Sequence, residues 1–272
     1  MTLMDRLDAL FPDSSRRSRK QWLEMGRVRV NGAIVRRGDE EVTAADRVEL
    51  GAPPPPPFPA ALRRVYEDDE IVVVDKPPGL LTIATESERE RTAYRMLTEY
   101  VGGQRGRRLF IVHRLDRETS GLLVFAKSGA TKRALQSEFE ARAVERRYVA
   151  VVEGRVTQPS GTLRSRLRTD RSLRVRPTRR RDEGKEAITS YRVIDQRRES
   201  TVLELSLTTG RRGQIRAQLA ALGHPIVGDR DYGATRDPLR RICLHATRLS
   251  FTSPSGRRVS FDCPPPTSFS RV

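Results

Sequence analysis

His113-Arg114-Leu115-Asp116-Arg117-Glu118-Thr119-Ser120-Gly121-Leu122 runs directly into Leu123-Val124-Phe125-Ala126. The run from Leu122 to Ala126 is apolar at every position and short. It reads as a strand buried on both faces. The residues before it are polar and read as the loop that feeds the strand. That loop holds Asp116 between Arg114 and Arg117. A carboxylate at the mouth of a buried strand, with cations beside it, can act as nucleophile or base. By residue type alone, an Asp in this place is better explained as a turn cap, so the rest of the chain has to decide.

Similar runs occur at Ile71 to Val74, Leu109 to Val112, Tyr148 to Val152, Val202 to Leu207 and Arg248 to Phe251. Helical patterns cover Thr92 to Val101, Ala130 to Ala141 and Ile215 to Leu222. There are many strands, few helices and no repeated strand-helix-strand rhythm. This predicts an α+β fold with a central, mostly antiparallel sheet flanked by helices and loops. One stretch is compositionally biased: residues 164 to 181 hold nine Arg and one Asp. It reads either as a solvated mobile loop or as a clamp on RNA. So much like charge repels itself unless an anion meets it, which favours the clamp.

Upstream, Pro53 to Pro57 are five consecutive prolines, followed by Phe58-Pro59. Such a run fits neither helix nor sheet interior and predicts a stiff polyproline spacer. It divides the chain into residues 1–50, a linker over 51–60, and a large domain over 61–272. In the first segment Ser15 is a candidate helix cap, Arg16 to Met25 is helical, and Gly26 stands where a left-handed cap belongs. Arg16, Arg17, Arg19 and Lys20 put four cations on that helix. Arg27 to Val30 alternates as a strand, Asn31-Gly32 is a hairpin turn, and Arg47 to Leu50 supplies another strand. The segment reads as a small αβ module whose clustered cations (Arg16, Arg19 and Lys20 foremost) suit phosphate contact.

The net charge is +17, with 52 Lys and Arg against 35 Asp and Glu. Nearly all of the excess lies beyond the linker. A basic balance of this size points to a polyanion, with RNA or DNA first. Two cysteines, Cys243 and Cys263, argue against a disulfide framework and suit a reducing compartment. With no Cys-x-x-Cys pair and only three His, the chain offers poor material for a zinc site, so no metal is expected. His224 and His245 read as turn or core residues rather than ligands. No apolar run approaches a membrane span, and the N-terminal residues lack the apolar core of a signal peptide. A cytoplasmic location is expected. No helix-turn-helix or zinc pattern supports DNA binding, and no interface pattern is evident, so a monomer is expected.

The ten residues from His113 to Leu122 resemble, without a mismatch, the catalytic motif of the RluA-type pseudouridine synthases. That resemblance extends to Asp75-Lys76-Pro77-Pro78-Gly79, to Arg146-Arg147-Tyr148-Val149-Ala150-Val151-Val152-Glu153-Gly154 and to Thr209-Gly210-Arg211-Arg212-Gly213-Gln214-Ile215-Arg216. The pattern of Arg6-Leu7-Asp8, Ser15-Arg16, Gly26 to Gly32 and Asp46-Arg47-Val48 is similar to an S-four-type RNA-binding domain. The resemblance implies an enzyme that isomerises specific uridines of RNA, with large-subunit ribosomal RNA as the favoured substrate and no cofactor. Asp116 would be the catalytic carboxylate. Tyr148 would stack on the target base, since a phenol with pKa ~10 is a weak base. Arg216 would pair with Asp116, because a guanidinium gives a buried carboxylate a bidentate, permanently charged partner. Ile215 would pack beneath the base, and Arg114, Arg117 and Arg211 would meet the RNA. Asp75 to Gly79 reads as scaffold.

Beyond Arg146, which stands where the family usually has Lys and keeps the charge, two positions depart from the family pattern: Gly213 and Gln218 stand where many relatives carry His. Neither matches a catalytic position. Two other readings stay open. One is a modifier of transfer RNA. The other is a non-catalytic RNA-binding factor in ribosome assembly, which would have no physical need for Asp116, Tyr148 and Arg216 together.

Overall fold

The computed structural model describes the chain except residues 53, 55, 103–107, 171–173 and 181. Two of the five spacer prolines, and Arg171 and Arg181 of the arginine-rich stretch, therefore lie outside the described residues. The chain forms two compact units, one within residues 1–57 and one from Phe58 onward.

The first unit begins with a helix that the sequence reading passed over, α1 (Leu3–Leu10). Thr2 and Asp5 close a reciprocal cap at its start, which satisfies two of the backbone N–H groups a helix leaves unpaired. Leu3 and Leu7, one turn apart, are its fully buried residues. The second helix, α2 (Arg16–Glu24), is capped by Ser15, whose hydroxyl accepts from the Ser18 N–H. Gly26 follows it at φ +64°. Three short strands, β1 (Val28–Val30), β2 (Ala33–Ile34) and β3 (Val48–Leu50), pair antiparallel in the order β2-β1-β3. Asn31 and Gly32 both take positive φ in the turn from β1 to β2, as the two-residue hairpin requires. The predicted turn and strands are thus present, with β2 as an added partner.

The second unit is built on one large sheet. Its strands are β4 (Arg63–Glu67), β5 (Ile71–Lys76), β6 (Phe110–Ile111), β7 (Ser120–Ala126), β8 (Glu145–Glu153) and β9 (Ser160–Thr169). They continue with β10 (Val175–Thr178), β11 (Lys185–Gln196), β12 (Ser200–Leu207), β13 (Leu244–Thr252) and β14 (Arg258–Asp262). The main path is β10-β9-β11-β12-β8-β13-β7-β5-β4, with β14 on β13 and β6 on β7. Three helices, α3 (Ala93–Gly102), α4 (Gly129–Glu140) and α5 (Gln214–Ala221), accompany it. The fold is the expected α+β class. Among the described pairings between these strands, only β13 with β7 is parallel.

All seven residues of β7 are buried. Leu123 and Phe125 join one core and Leu122 and Val124 the other. Side chains alternate across a strand, so a strand covered on both faces is apolar on both, as β7 is from Gly121 to Ala126. Gly121 sits where β7 meets β13, at φ +111°. A Cβ there would stand 2.3 Å from the Ala246 carbonyl oxygen, so only glycine allows this approach.

The arginine-rich stretch is neither a free loop nor an unpaired clamp. It is largely an antiparallel hairpin of β9 and β10, and β11 pairs along the other edge of β9. Leu163, Ser165 and Leu167 alternate with Arg164, Arg166 and Arg168, which is strand periodicity hidden under a high charge. Arg168 and Arg180 pair with Glu183, Arg176 with Asp170, and Arg174 with Asp231. The anions that relieve the repulsion are in part the chain's own.

Candidate active site

Asp116 lies in the loop between β6 and β7, and that loop is fastened on both sides of it. The Thr82 hydroxyl donates to the Leu115 carbonyl at 2.8 Å and accepts from the Leu115 N–H at 3.2 Å. On the other side, the Arg117 carbonyl accepts from the Lys76 ammonium at 3.1 Å and from the Gly79 N–H at 2.9 Å. Lys76 is fully buried and also donates to the carbonyls of Pro77 and Leu80. Asp75 to Gly79 is therefore scaffold of a specific kind, since it holds the backbone that presents Asp116. Burial lowers Lys76 to about 7, against the pull of Glu118 and Asp116.

The Asp116 side chain faces a pocket of about 310 Å3 with Arg114, Arg146, Tyr148, Ile215 and Arg216. That volume is at the small end of ordinary ligand sites, ~300–1,000 Å3. The carboxylate forms no hydrogen bond or ion pair with any described residue. It is half-buried and chemically unengaged, which leaves it free to act as nucleophile or base when substrate arrives.

Tyr148 comes from β8 and is buried. Burial, and secondarily the charge of Asp116, push its phenol up to about 12, although Arg146 opposes the shift. It stays protonated near neutral pH, which suits stacking better than proton removal. Ile215 and Arg216 come from the first turn of α5. Gln214 fixes that turn: its side-chain oxygen accepts from the Arg211 N–H and the Thr209 hydroxyl, and its amide donates to Ile188 and Thr189.

Arg216 reaches the pocket, but its partner is not the predicted one. Its guanidinium makes a bidentate pair with Asp229, both contacts at 2.7 Å, and touches Asp231 at 3.4 Å. No salt bridge joins it to Asp116. Asp229 is 1% exposed and needs a cation more than the half-open Asp116 does. Burial opposes the Arg216 charge, yet the bonds to Asp229, with Asp116 adding at longer range, raise its pKa further. Its guanidinium also lies 4.8 Å from the Tyr232 ring centroid.

The other expected RNA contacts divide. Arg114 and Arg211 are exposed and line the pocket. Arg117 does not line it. Its Nε donates to the Gly79 carbonyl, and the side chain borders a separate cleft with Pro77, Leu81 and Met96. In the first unit, Arg16 and Lys20 line an exposed concavity with Arg17 and Gln21. Arg19 is buried, pairs with Asp8 at 2.6 Å and donates to the Ser14 carbonyl, so it serves packing rather than phosphate. Residues one turn apart on a helix share a face, and helix periodicity turns Arg19 inward with Leu23.

Of the two departures from the family pattern, Gln218 is a buried knot. Its oxygen accepts from Thr189, and its amide donates to Leu163, Ser165 and Ala187, which ties α5 to β9 and β11. Gly213 begins α5 at φ +58°, with the Tyr232 hydroxyl 3.0 Å from where a Cβ would stand. The sequence reading gave no role to Arg146. This residue is 8% exposed, lines the pocket, and has no carboxylate partner among the described residues. Its Nε is unpartnered, and its other contacts are two long bonds to carbonyls and the face of Phe139. Burial lowers its pKa. Its place two residues before Tyr148, on the same strand face, is the signal that could have found it.

A carboxylate-bearing pocket on a two-faced sheet has the parts of a catalytic site, and the first unit is a separate small αβ fold with cations along one helix. Residues 70–221 match the RNA pseudouridylate synthase family and residues 1–48 match the S4 domain. The chain belongs to the RNA pseudouridylate synthase family. It is 33% identical over 97% of its length to ribosomal large subunit pseudouridine synthase D of Haemophilus ducreyi, covering 87% of that protein. Identity to the protein of the same name in Salmonella typhimurium is 35%, over 96% of this chain and 86% of that one. Among solved structures, human RNA pseudouridylate synthase domain containing 1 superposes with a TM-score of 0.62 at 25% identity, over 75% of this chain and 84% of that one. Among the described residues, no helix is long and apolar enough to cross a membrane.

Proposed function

We propose that this synthase converts specific uridines of large-subunit ribosomal RNA to pseudouridine in the cytoplasm, with Asp116 as the reacting carboxylate. The observation that carries the reading is the unengaged Asp116 side chain, on a loop fastened at Leu115 and Arg117, in a pocket it shares with Tyr148, Ile215 and Arg216. Relatives of nearly the same length that are named for large-subunit ribosomal RNA support the substrate.

The reaction breaks the bond between uracil and ribose, turns the base over, and joins carbon five to the anomeric carbon. Nothing is added or oxidised. Asp116 opens it, by attack on base or sugar or by removing a ribose proton. Tyr148 stacks on the base, and Ile215 closes the other side of the slot. Arg216, locked by Asp229, fixes the wall opposite the carboxylate. Arg146 offers a buried positive charge to the uracil oxygens, where charge develops once the base is detached. Reaching a paired uridine requires flipping it, at a cost of a few kcal/mol. Arg114 and Arg211 at the rim, and Arg16 and Lys20 in the first unit, supply phosphate contacts, so binding weakens steeply with salt.

The test is to map pseudouridines in ribosomal and transfer RNA from cells with and without the gene, and to add back wild type or Asp116→Asn. Ribosomal marks that only wild type restores support the proposal. Marks lost from transfer RNA move the substrate. Restoration by Asp116→Asn removes that residue as the catalyst. Deleting residues 1–50 should weaken RNA binding more than it slows a single turnover at saturating RNA.

A further inference from the structure

Behind the loop that carries Asp116, three strands bring together a set of side chains that pseudouridine formation does not use. Asp75 is the last residue but one of β5, His245 is the second residue of β13, and Cys263 follows β14 directly. One ligand atom from each lies within 4.8 Å of the others. Cys263 and His245 are 1% and 2% exposed, while the Asp75 side chain keeps an opening to solvent at 23%.

The histidine is the telling member. Its Nδ1 is engaged with the Ser120 hydroxyl at 2.8 Å, and that hydroxyl accepts from Arg241 at 2.7 Å. Its Nε2 is buried with no hydrogen-bond partner. The Cys263 backbone makes at most a weak hydrogen bond to the ring, short of the geometry that would satisfy that nitrogen. A buried ring nitrogen left without a partner is costly and calls for an explanation. A metal ion supplies one. A metal-bound His characteristically anchors its second nitrogen on a neighbouring polar group, as Ser120 does here.

We propose that Asp75, His245 and Cys263 form a binding site for a borderline-soft divalent metal ion, zinc foremost, that braces the back of the Asp116 loop. One thiolate, one imidazole and one carboxylate are zinc's ordinary donors, with water as a fourth ligand. At bond lengths of about 2.0–2.3 Å, tetrahedral ligand atoms stand roughly 3.3–3.6 Å apart, so the three side chains need draw in by only about 1 Å. On binding, the Cys263 thiol gives up its proton to solvent.

Arg63 borders the site. Its guanidinium donates to Asp75 at 3.1 Å and to the Cys263 sulfur at 3.1 Å. It gathers the two anionic donors, and a carboxylate has acceptor sites for both a guanidinium and a metal. The Arg63 side chain is 62% exposed, so it can also swing outward and open a path. The brace would act on catalysis through Ser120, which closes the catalytic loop, and through Asp75, the neighbour of the Lys76 that fastens it.

Cobalt is the probe. Untagged full-length protein, stripped by chelator, is titrated with Co2+ and then with Zn2+. The expected result is one Co2+ per chain with a thiolate-to-cobalt charge-transfer band that Zn2+ abolishes. Cys263→Ala should lose the band and weaken binding at least tenfold. Cys243→Ala should keep both, and Asp75→Asn should keep the band with weaker binding. If Cys263→Ala fails to fold, alkylation of wild type decides, with Zn2+ expected to slow modification of Cys263 at least tenfold and to leave Cys243 unchanged. A wild-type titration without the band, a band that survives Cys263→Ala, or Zn2+ that leaves Cys263 alkylation unchanged would overturn the proposal.

Discussion

Two arginines face each other's chemistry in the pocket under opposite conditions. Arg216 is held by Asp229 and Asp231, with a bidentate pair at 2.7 Å. Arg146 has no carboxylate at all among the described residues, and its Nε is unpartnered. A buried charge with a partner is a fixed part of the wall. A buried charge without one is a standing cost to the fold, reduced only when something negative arrives. The comparison separates the group that positions from the group that waits for substrate.

The largest effect expected from this contrast is the loss of Arg216. Arg216→Ala strands Asp229, which is 1% exposed. Breaking a buried pair on one side costs about 3–5 kcal/mol. Urea unfolding should show a loss of that order, and single-turnover rates should fall with it. Arg216→Lys should recover part of the stability but little of the rate, because one ammonium cannot replace two parallel bonds. Full activity in Arg216→Lys would show that its geometry is unimportant and end the distinction.

Tyr148 ranks next. Stacking of a base on an aromatic ring contributes about 1–3 kcal/mol. Tyr148→Ala should therefore lower kcat/KM about ten- to a hundredfold relative to Tyr148→Phe, which keeps the ring. The phenol is held at about 12, so the wild-type rate should show no dependence on its ionisation between pH 6 and 9. A Phe variant as poor as the Ala variant would assign the work to the hydroxyl.

How much of this was legible in the chain follows from where the information lay. The buried strand Leu122 to Ala126 and the turn at Asn31-Gly32 are local patterns and read directly. The placement of Asp116, Tyr148, Ile215 and Arg216 on one pocket followed from motif resemblance. What escaped was the partner of Arg216, because Asp229 lies thirteen residues away in a turn and the family motif points to Asp116 instead. β9 and β10 escaped because arginines at alternate positions looked like a charge run, and charge hides period two. Arg19 was misjudged because a cation is assumed to face water, whereas the helix turns it toward Asp8. Asp75, His245 and Cys263 could not be grouped from spacing, since only the strand order brings them together.

Arg146 gives a smaller effect. Arg146→Met removes a cation without stranding a carboxylate, so unfolding free energy should change by less than about 1 kcal/mol or even rise. Substrate loses a charge-assisted contact, about 1.5–3 kcal/mol, or roughly ten- to a hundredfold in kcat/KM. A destabilisation as large as that of Arg216→Ala would collapse the comparison.

The same arginine sets the subtlest test. The Phe139 ring has His113 stacked on it at 4.9 Å and the Arg146 guanidinium over it at 5.4 Å. Nε2 of His113 accepts from the Val124 N–H, so the ring is built in as a neutral acceptor. Burial, and then the Arg146 charge, lower His113 from its ordinary 6.5 to about 3. Its folded pKa is depressed, so between about 3 and 6.5 the unfolded chain binds a proton that the folded one refuses. Stability from His113 is complete above about 6.5 and is lost as pH falls toward 3. Urea midpoints should therefore fall as pH drops from 7 toward 3, and Arg146→Met should level that fall off at a higher pH, because removing the neighbouring charge lets His113 take its proton more readily. An unchanged slope in Arg146→Met would mean that burial alone governs His113, and that the Arg146 charge is already spent within the wall before any substrate enters.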